Sequence, residues 1–167
     1  MMESLENIEL LTDILEKEII LVTAFTEIES IIMDSIIINN WDILESSIIQ
    51  TQDIALDIEK LDIKREACVE QLRDELGEDK NAHFYHLTVN LNSDMKDKLN
   101  NLYRSLKLSV LNLRNINLRI DTYVGTVTGI MKQTLKEIYP NRRGSLYSRS
   151  GIIREADNNP MVLNRKL

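Results

Sequence analysis

Residues 94–139 read DMKDKLNNLYRSLKLSVLNLRNINLRIDTYVGTVTGIMKQTLKEIY, and this stretch decides the fold. Taken at alternating steps of four and three residues, it gives twelve positions, nine of them apolar. Apolar spacing of this kind, kept up over more than five heptads, is typical of a helix that packs against other long helices. These twelve positions, the predicted seam, are Leu99, Tyr103, Leu106, Val110, Leu113, Asn117, Ile120, Val124, Val127, Met131, Thr134 and Ile138.

The ends of this helix are marked in the sequence. Asn92 or Ser93 can cap its first turn, and Pro140 stops it because proline cannot continue a helix. A helix of this length spans roughly 70 Å and cannot bury its apolar stripe against itself. We therefore expect partner helices of similar length in the rest of the chain.

Two further long helices are predicted, over about residues 2–38 and 41–76, since both ranges keep an apolar helical period. Asn39-Asn40 separates them, because asparagine tolerates left-handed backbone geometry and also caps helix starts. Gly77 ends the second helix. Residues 82–91 are predicted to form one short helix of two to three turns.

These elements predict an all-α fold, an elongated antiparallel bundle or coiled coil of three long helices plus a short helix. Residues 1–139 form the bundle. From residue 140 the apolar period is lost, and both prolines of the chain lie beyond residue 139. We expect residues 140–167 to be a flexible, basic and disordered C-terminal tail.

Composition excludes several classes of protein. The net charge of −7 argues against nucleic acid as a main partner. The most apolar local run, residues 31–38, is far too short to cross a membrane and includes Asp34. An acidic N-terminus is unlike a secretory leader, and a single cysteine, Cys68, suits a reducing compartment. The sequence therefore predicts a cytoplasmic protein without membrane insertion.

Charge is divided unevenly along the chain. Residues 1–80 hold 21 acidic and 6 basic side chains, net −15. Residues 81–139 are net +4, from 8 basic and 4 acidic side chains, and residues 140–167 are also net +4, from 6 and 2. We expect this asymmetry to favour one pairing of helices over others.

Catalytic and metal-binding patterns are sparse. His83 and His86 lie three residues apart, but no third ligand accompanies them. The sequence has no phosphate loop, nucleophile elbow or zinc helix motif. We predict a protein that is not an enzyme and that needs no cofactor or metal.

Gly125 and Gly129, four residues apart in the third long helix, admit two interpretations. They open a smooth patch for a partner's helix, or they allow a close crossing within the bundle. Two function classes follow from the whole pattern. One is a binding protein, a chaperone or adaptor, that holds another protein's helix. The other is a structural coiled-coil subunit, and a homodimer is compatible with both.

In layout and in a few positions the chain resembles the FlgN family of flagellar type III export chaperones. That family has a polar turn and an aromatic or acidic step between its first two helices, where this chain has residues 39–42, NNWD. Late in the second helix the family shows a leucine followed by an arginine, matched by Leu61 and Arg65.

The later matches lie in the third long helix and beyond it. The family favours two asparagines three apart before an apolar pair; Asn117 matches the first, Ile120 replaces the second, and the pair is residues 123–124. A leucine-tyrosine followed by a glycine four residues after the tyrosine is matched by Leu146, Tyr147 and Gly151.

The resemblance implies a role and partners. Chaperones of this family cover the amphipathic terminal helices of hook–filament junction proteins, prevent their premature association and deliver them to the export gate. It implies export-gate docking at Leu146, Tyr147 and Gly151. From the seam and the two glycines, the expected cargo-binding residues are Val124, Val127, Met131 and Leu135. The alternative is a structural or adaptor coiled-coil subunit of another export- or motility-linked assembly.

Overall fold

The computed structural model describes residues 2–79, 83–89 and 91–139, with side chains from Glu6 onward. Of these residues, 92% are helical, and the described ranges contain no strand. The helices are α1 (Met2–Ile38), α2 (Trp41–Leu76), α3 (Phe84–Leu87) and α4 (Ser93–Ile138). The three long helices pack against each other, which confirms the predicted all-α bundle of three long helices and one short one.

The break between α1 and α2 is made by the asparagine pair, as predicted. Asn39 adopts the left-handed conformation, with φ of 57°. Asn40 caps α2, because its side-chain oxygen accepts a hydrogen bond from the backbone N–H of Ile43 at 3.3 Å. The two helices therefore form an antiparallel hairpin, in which Asn7 of α1 contacts Glu75 of α2.

Gly77 ends α2 in the left-handed conformation, with φ of 68°. The N–H of Glu78 donates to the carbonyl of Arg73 at 3.0 Å, and this contact satisfies an otherwise unpaired helix end. At the start of α4, Asn92 is the capping residue, since its Oδ1 accepts from the N–H of Met95 at 2.9 Å. The helix boundaries predicted from these caps are confirmed to within a residue or so.

The short helix α3 covers four residues rather than the predicted range of 82–91. Thr88 ends it. This side chain is almost fully buried, and its hydroxyl lies 3.0 Å from the Tyr85 carbonyl and 3.1 Å from Asn100 Oδ1. Thr88 thus ties the end of α3 to α4, because a hydroxyl that is buried needs a partner.

The chain divides into two compact units, residues 1–121 and 122–167. The core of the first unit is a single apolar cluster in which α1 provides the most deeply buried side chains, Leu11 and Leu15. The first part of α4 joins this cluster and also carries Lys98, which pairs with Glu16 of α1 at 3.2 Å. The buried members are Ile8, Leu11, Ile14, Leu15, Val22, Cys68, Val69, Leu72, Phe84, Leu87, Leu99 and Leu106.

Along most of α4, only one of the two rows in the predicted seam is buried. The row that begins with Leu99 and Leu106 is buried or half-buried as far as Val127, whereas the other row is half-buried at Tyr103 and exposed from Val110 onward. Ile116, outside the predicted seam, is buried instead. The predicted seam therefore lies to one side of the face of α4 that contacts the bundle. Periodicity shows which side of a helix is apolar, but it does not show which edge of that apolar side has a neighbour.

Candidate partner-binding surface

The last part of α4 carries an apolar surface, which we call the distal face: Val124, Val127, Ile130, Met131, Leu135 and Ile138. These residues all lie in the second unit, 122–167. Five of the six are 43% to 61% exposed, and Val127 is half-buried. No side chain between Thr122 and Ile138 is fully buried. Several exposed apolar side chains along one side of a helix are a usual mark of a protein–protein contact surface.

All four residues predicted to bind cargo belong to the distal face. Val124 is 43% exposed, Met131 61% and Leu135 46%, while Val127 is half-buried. Steps of three or four residues place them on one side of the helix. The structure therefore brings the four side chains together on one accessible surface. Their role in binding cargo stays a prediction.

Gly125 and Gly129 lie within the same helical turns. A Cβ placed on either glycine would meet no atom within 4 Å. The described residues contain no close helix crossing at these two glycines. Helical spacing places both glycines roughly 120° to 160° around α4 from Val127 and Met131, so the open patch that they leave is separate from the distal face.

Few charged residues lie near the distal face. Lys132, Lys136 and Glu137 are the only charged residues between Thr122 and Tyr139. The carboxylate of Glu137 accepts a hydrogen bond from the Gln133 amide at 3.1 Å. Such a surface holds a partner by apolar contact, since few charges need to be desolvated.

The residues predicted to dock on the export gate, Leu146, Tyr147 and Gly151, lie outside the described residues. The tail predicted over residues 140–167 lies there as well. Both remain predictions from the sequence.

A second apolar exposure lies at the corner between α1 and α2. Trp41 does not pack over the bundle end and is 64% exposed. The isoleucine-rich end of α1 leaves Ile37 and Ile38 exposed as well. Helical spacing places Trp41 about 80° to 120° around α2 from Ser47 and Thr51, the buried side chains nearest that end of the helix.

One buried ion pair lies between α1 and α2, and sequence reasoning did not pair its members. Arg65 donates through Nε to Glu18 Oε1 at 3.1 Å and through its terminal nitrogen to Asp62. Burial raises the pKa of Glu18 above its ordinary value, although the charge and hydrogen bond of Arg65 oppose this. Opposite charges on the core stripes of two adjacent helices were the signal that could have found the pair.

The described part of the chain brings together few side chains that could form a metal site. Within residues 2–79, 83–89 and 91–139, no three His, Cys, Asp or Glu side chains are placed to hold a metal ion. His83 and His86 are exposed. No helix in these ranges is both long and apolar enough to cross a membrane.

Comparisons of the chain with protein-family models, with curated proteins and with solved structures gave no match. The resemblance to flagellar export chaperones therefore rests on the layout and residues described above.

Proposed function

We propose that this protein is a cytoplasmic flagellar export chaperone. It binds the amphipathic terminal helices of hook–filament junction proteins, keeps them from associating prematurely and delivers them to the type III export gate. The observation that carries the proposal is the distal face, where Val124, Met131 and Leu135 present apolar side chains at helical spacing on an accessible helix.

The chemistry of such a cargo matches the distal face. An amphipathic helix needs its apolar side covered, and a second helix with an apolar side at the same spacing can cover it. The long, unbranched side chain of Met131 adapts to differently shaped neighbours, which suits a chaperone with more than one cargo.

Isothermal titration with a synthetic peptide from the terminal helix of a junction protein tests the cargo site. Met131→Glu with Leu135→Glu should weaken binding by at least about tenfold, because each places a charge in the apolar contact. Both side chains are about half exposed or more, so the fold should be kept. The matched control is Thr126→Glu, which adds a charge about 180° around the helix from Leu135.

Delivery is proposed to use a different part of the chain. Tyr147, with Leu146 and Gly151, would dock on the export gate, and Tyr147→Ala should lower gate binding and motility while leaving cargo affinity unchanged. If Tyr147→Ala loses cargo affinity as strongly as Met131→Glu with Leu135→Glu does, cargo and gate use one surface and this division is wrong.

The second candidate function is a structural or adaptor coiled-coil subunit, including a homodimer. A specific observation favours it: the exposed row of the seam repeats every seven residues, with one asparagine among apolar side chains. Such a row is typical of paired helices, in which asparagine fixes the register. The row is Val110, Asn117, Val124, Met131 and Ile138. Gel filtration with light scattering distinguishes the two, since a monomer or dimer favours the chaperone, whereas a concentration-dependent polymer favours the structural subunit.

A further inference from the structure

A shallow groove of about 350 Å³ lies between α1 and α2, within the first compact unit. Its floor is apolar and includes Ile20, which is 66% exposed, with Leu21 and Leu61. Steps of three or four residues along each helix bring the lining side chains to one side. The lining consists of Lys17, Ile20 and Leu21 from α1 and of Asp57, Lys60, Leu61 and Lys64 from α2.

The rim of this groove is basic in an acidic part of the chain. Residues 1–64 contain fifteen acidic side chains and three basic ones. Those three are Lys17, Lys60 and Lys64, and all of them line the groove. All of the basic side chains in this range therefore meet at one apolar groove.

The ion pairs at the rim leave these lysines available to a ligand. Lys17 pairs with Asp13 at 2.6 Å and Lys60 with Asp57 at 2.8 Å, both within one helix and both well exposed. Exposed pairs of this kind contribute little to stability and exchange partners readily. Lys64 makes no ion pair or side-chain hydrogen bond with any residue that the structure describes.

We propose that this groove is a docking site for an acidic amphipathic helix of a partner protein. Apolar side chains of that helix would cover Ile20, Leu21 and Leu61, and its carboxylates would pair with the lysines at the rim. Two adjacent helices present the kind of groove into which a third helix packs with its apolar side. The lining carries three lysines and one carboxylate, Asp57, and this excess of positive charge favours an acidic partner over a basic one. The site lies in residues 1–121 and does not depend on the proposed cargo site in residues 122–138.

The test uses the full chain and two labelled peptides of about five helical turns with the same leucine spacing. One carries glutamates at its polar positions and the other carries lysines. Fluorescence anisotropy should show that the acidic peptide binds, and that raising the salt from about 50 to about 300 mM weakens its binding severalfold. Tighter binding by the basic peptide would overturn the proposal.

Three variants locate the binding on the protein. Lys60→Glu with Lys64→Glu should weaken the binding of the acidic peptide by roughly tenfold or more. Ile20→Ser should also weaken that binding, without a change in the helicity of the protein. Arg104→Glu with Arg114→Glu, an equal change of net charge at exposed positions on α4, is the control and should have little effect. Unchanged affinity in the lysine variant would overturn the proposal. Loss of acidic-peptide binding in Met131→Glu with Leu135→Glu would also overturn it, since the peptide would then occupy the distal face.

Discussion

Arg65 Nε lies 3.0 Å from Glu18 Oε2 and 3.1 Å from Glu18 Oε1, and through this contact a charged pair joins α2 to α1 beside the apolar core. The Glu18 side chain is 4% exposed and that of Arg65 23%. The hydrogen bond goes to Oε1, and Oε2 is buried without a hydrogen-bond partner. Glu18 therefore depends on the Arg65 charge more than an exposed carboxylate would.

Arg65→Ala should lower the free energy of unfolding by about 2 kcal/mol near pH 8, because it leaves the Glu18 charge buried and unpaired. The loss should be smaller near pH 5. Burial already raises the pKa of Glu18 above 4.5, so the native state keeps a proton that the unfolded chain has lost, and stability falls as the pH rises through the raised pKa. Removing Arg65 raises that pKa further. Urea unfolding at the two pH values measures this difference.

The control for this pH dependence is the double variant Glu18→Gln with Arg65→Ala. It has no ionisable group at residue 18, so its stability should change less between the two pH values than that of Arg65→Ala. An equal loss in Arg65→Ala at both pH values would show that packing, rather than the Glu18 charge, determines the effect.

Cys68 should react slowly with a thiol reagent in the native protein. It is 2% exposed, and its thiol donates a hydrogen bond to the Asn7 carbonyl at 3.3 Å. Burial, with a smaller contribution from the charge of Glu75, raises its pKa, so less of the reactive thiolate is present. The rate of reaction with a chromogenic disulfide should rise steeply across the urea unfolding transition. Labelling of the native protein as fast as that of free glutathione would contradict the buried position.

Phe84 should be the residue of α3 that stabilises the fold most. Its ring stacks on the Tyr103 ring of α4, with 4.0 Å between the ring centroids, and Lys107 Nζ lies 4.4 Å from the centroid of the Tyr103 ring. Phe84→Ala should cost about 3 kcal/mol of unfolding free energy, because it empties a buried aromatic site. Tyr85→Ala is the control: this neighbour is 41% exposed, and it should cost much less. Similar losses in both variants would mean that α3 contributes through its backbone rather than through Phe84.

The helix boundaries could be predicted because local chemistry determines them. Asn39 takes a left-handed conformation, Asn40 and Asn92 accept capping hydrogen bonds, and Gly77 ends α2. Each of these contacts joins residues at most five apart, so the sequence contains both partners within one window.

Contacts between helices could not be predicted in the same way. The row of the seam that faces the bundle, the exposed position of Trp41 and the pairing of Glu18 with Arg65 all depend on how α1, α2 and α4 are rotated about their axes. Periodicity gives each helix an apolar side but not its partner across the interface. The distal face was found because it extends the same apolar period as the core.

The predicted seam places Asn117 on the contact face of α4, where leucine in its place would raise the melting temperature. Asn117 is exposed, so that interpretation was wrong. The substitution should change the free energy of unfolding by no more than about 0.5 kcal/mol, as is usual at exposed positions. It would join Val110 and Val124 into an uninterrupted apolar row, and light scattering should therefore show more self-association than for the parent. A clear rise in melting temperature without association would restore the buried interpretation.

Gly125→Ala with Gly129→Ala separates stability from binding at the distal face. Each substitution should stabilise this part of α4 by up to about 1 kcal/mol, because glycine is a poor helix former and the added methyl meets no atom within 4 Å. Amide hydrogen exchange over residues 122–138 should slow accordingly. If a cargo helix approaches the two glycines closely, the same methyl groups should lower cargo affinity by roughly tenfold. Asn112→Ala, a change to alanine at an exposed position of α4 outside the distal face, is the control and should leave the affinity unchanged. Slower exchange with unaltered cargo affinity in the double glycine variant would show that cargo does not approach α4 at Gly125 and Gly129.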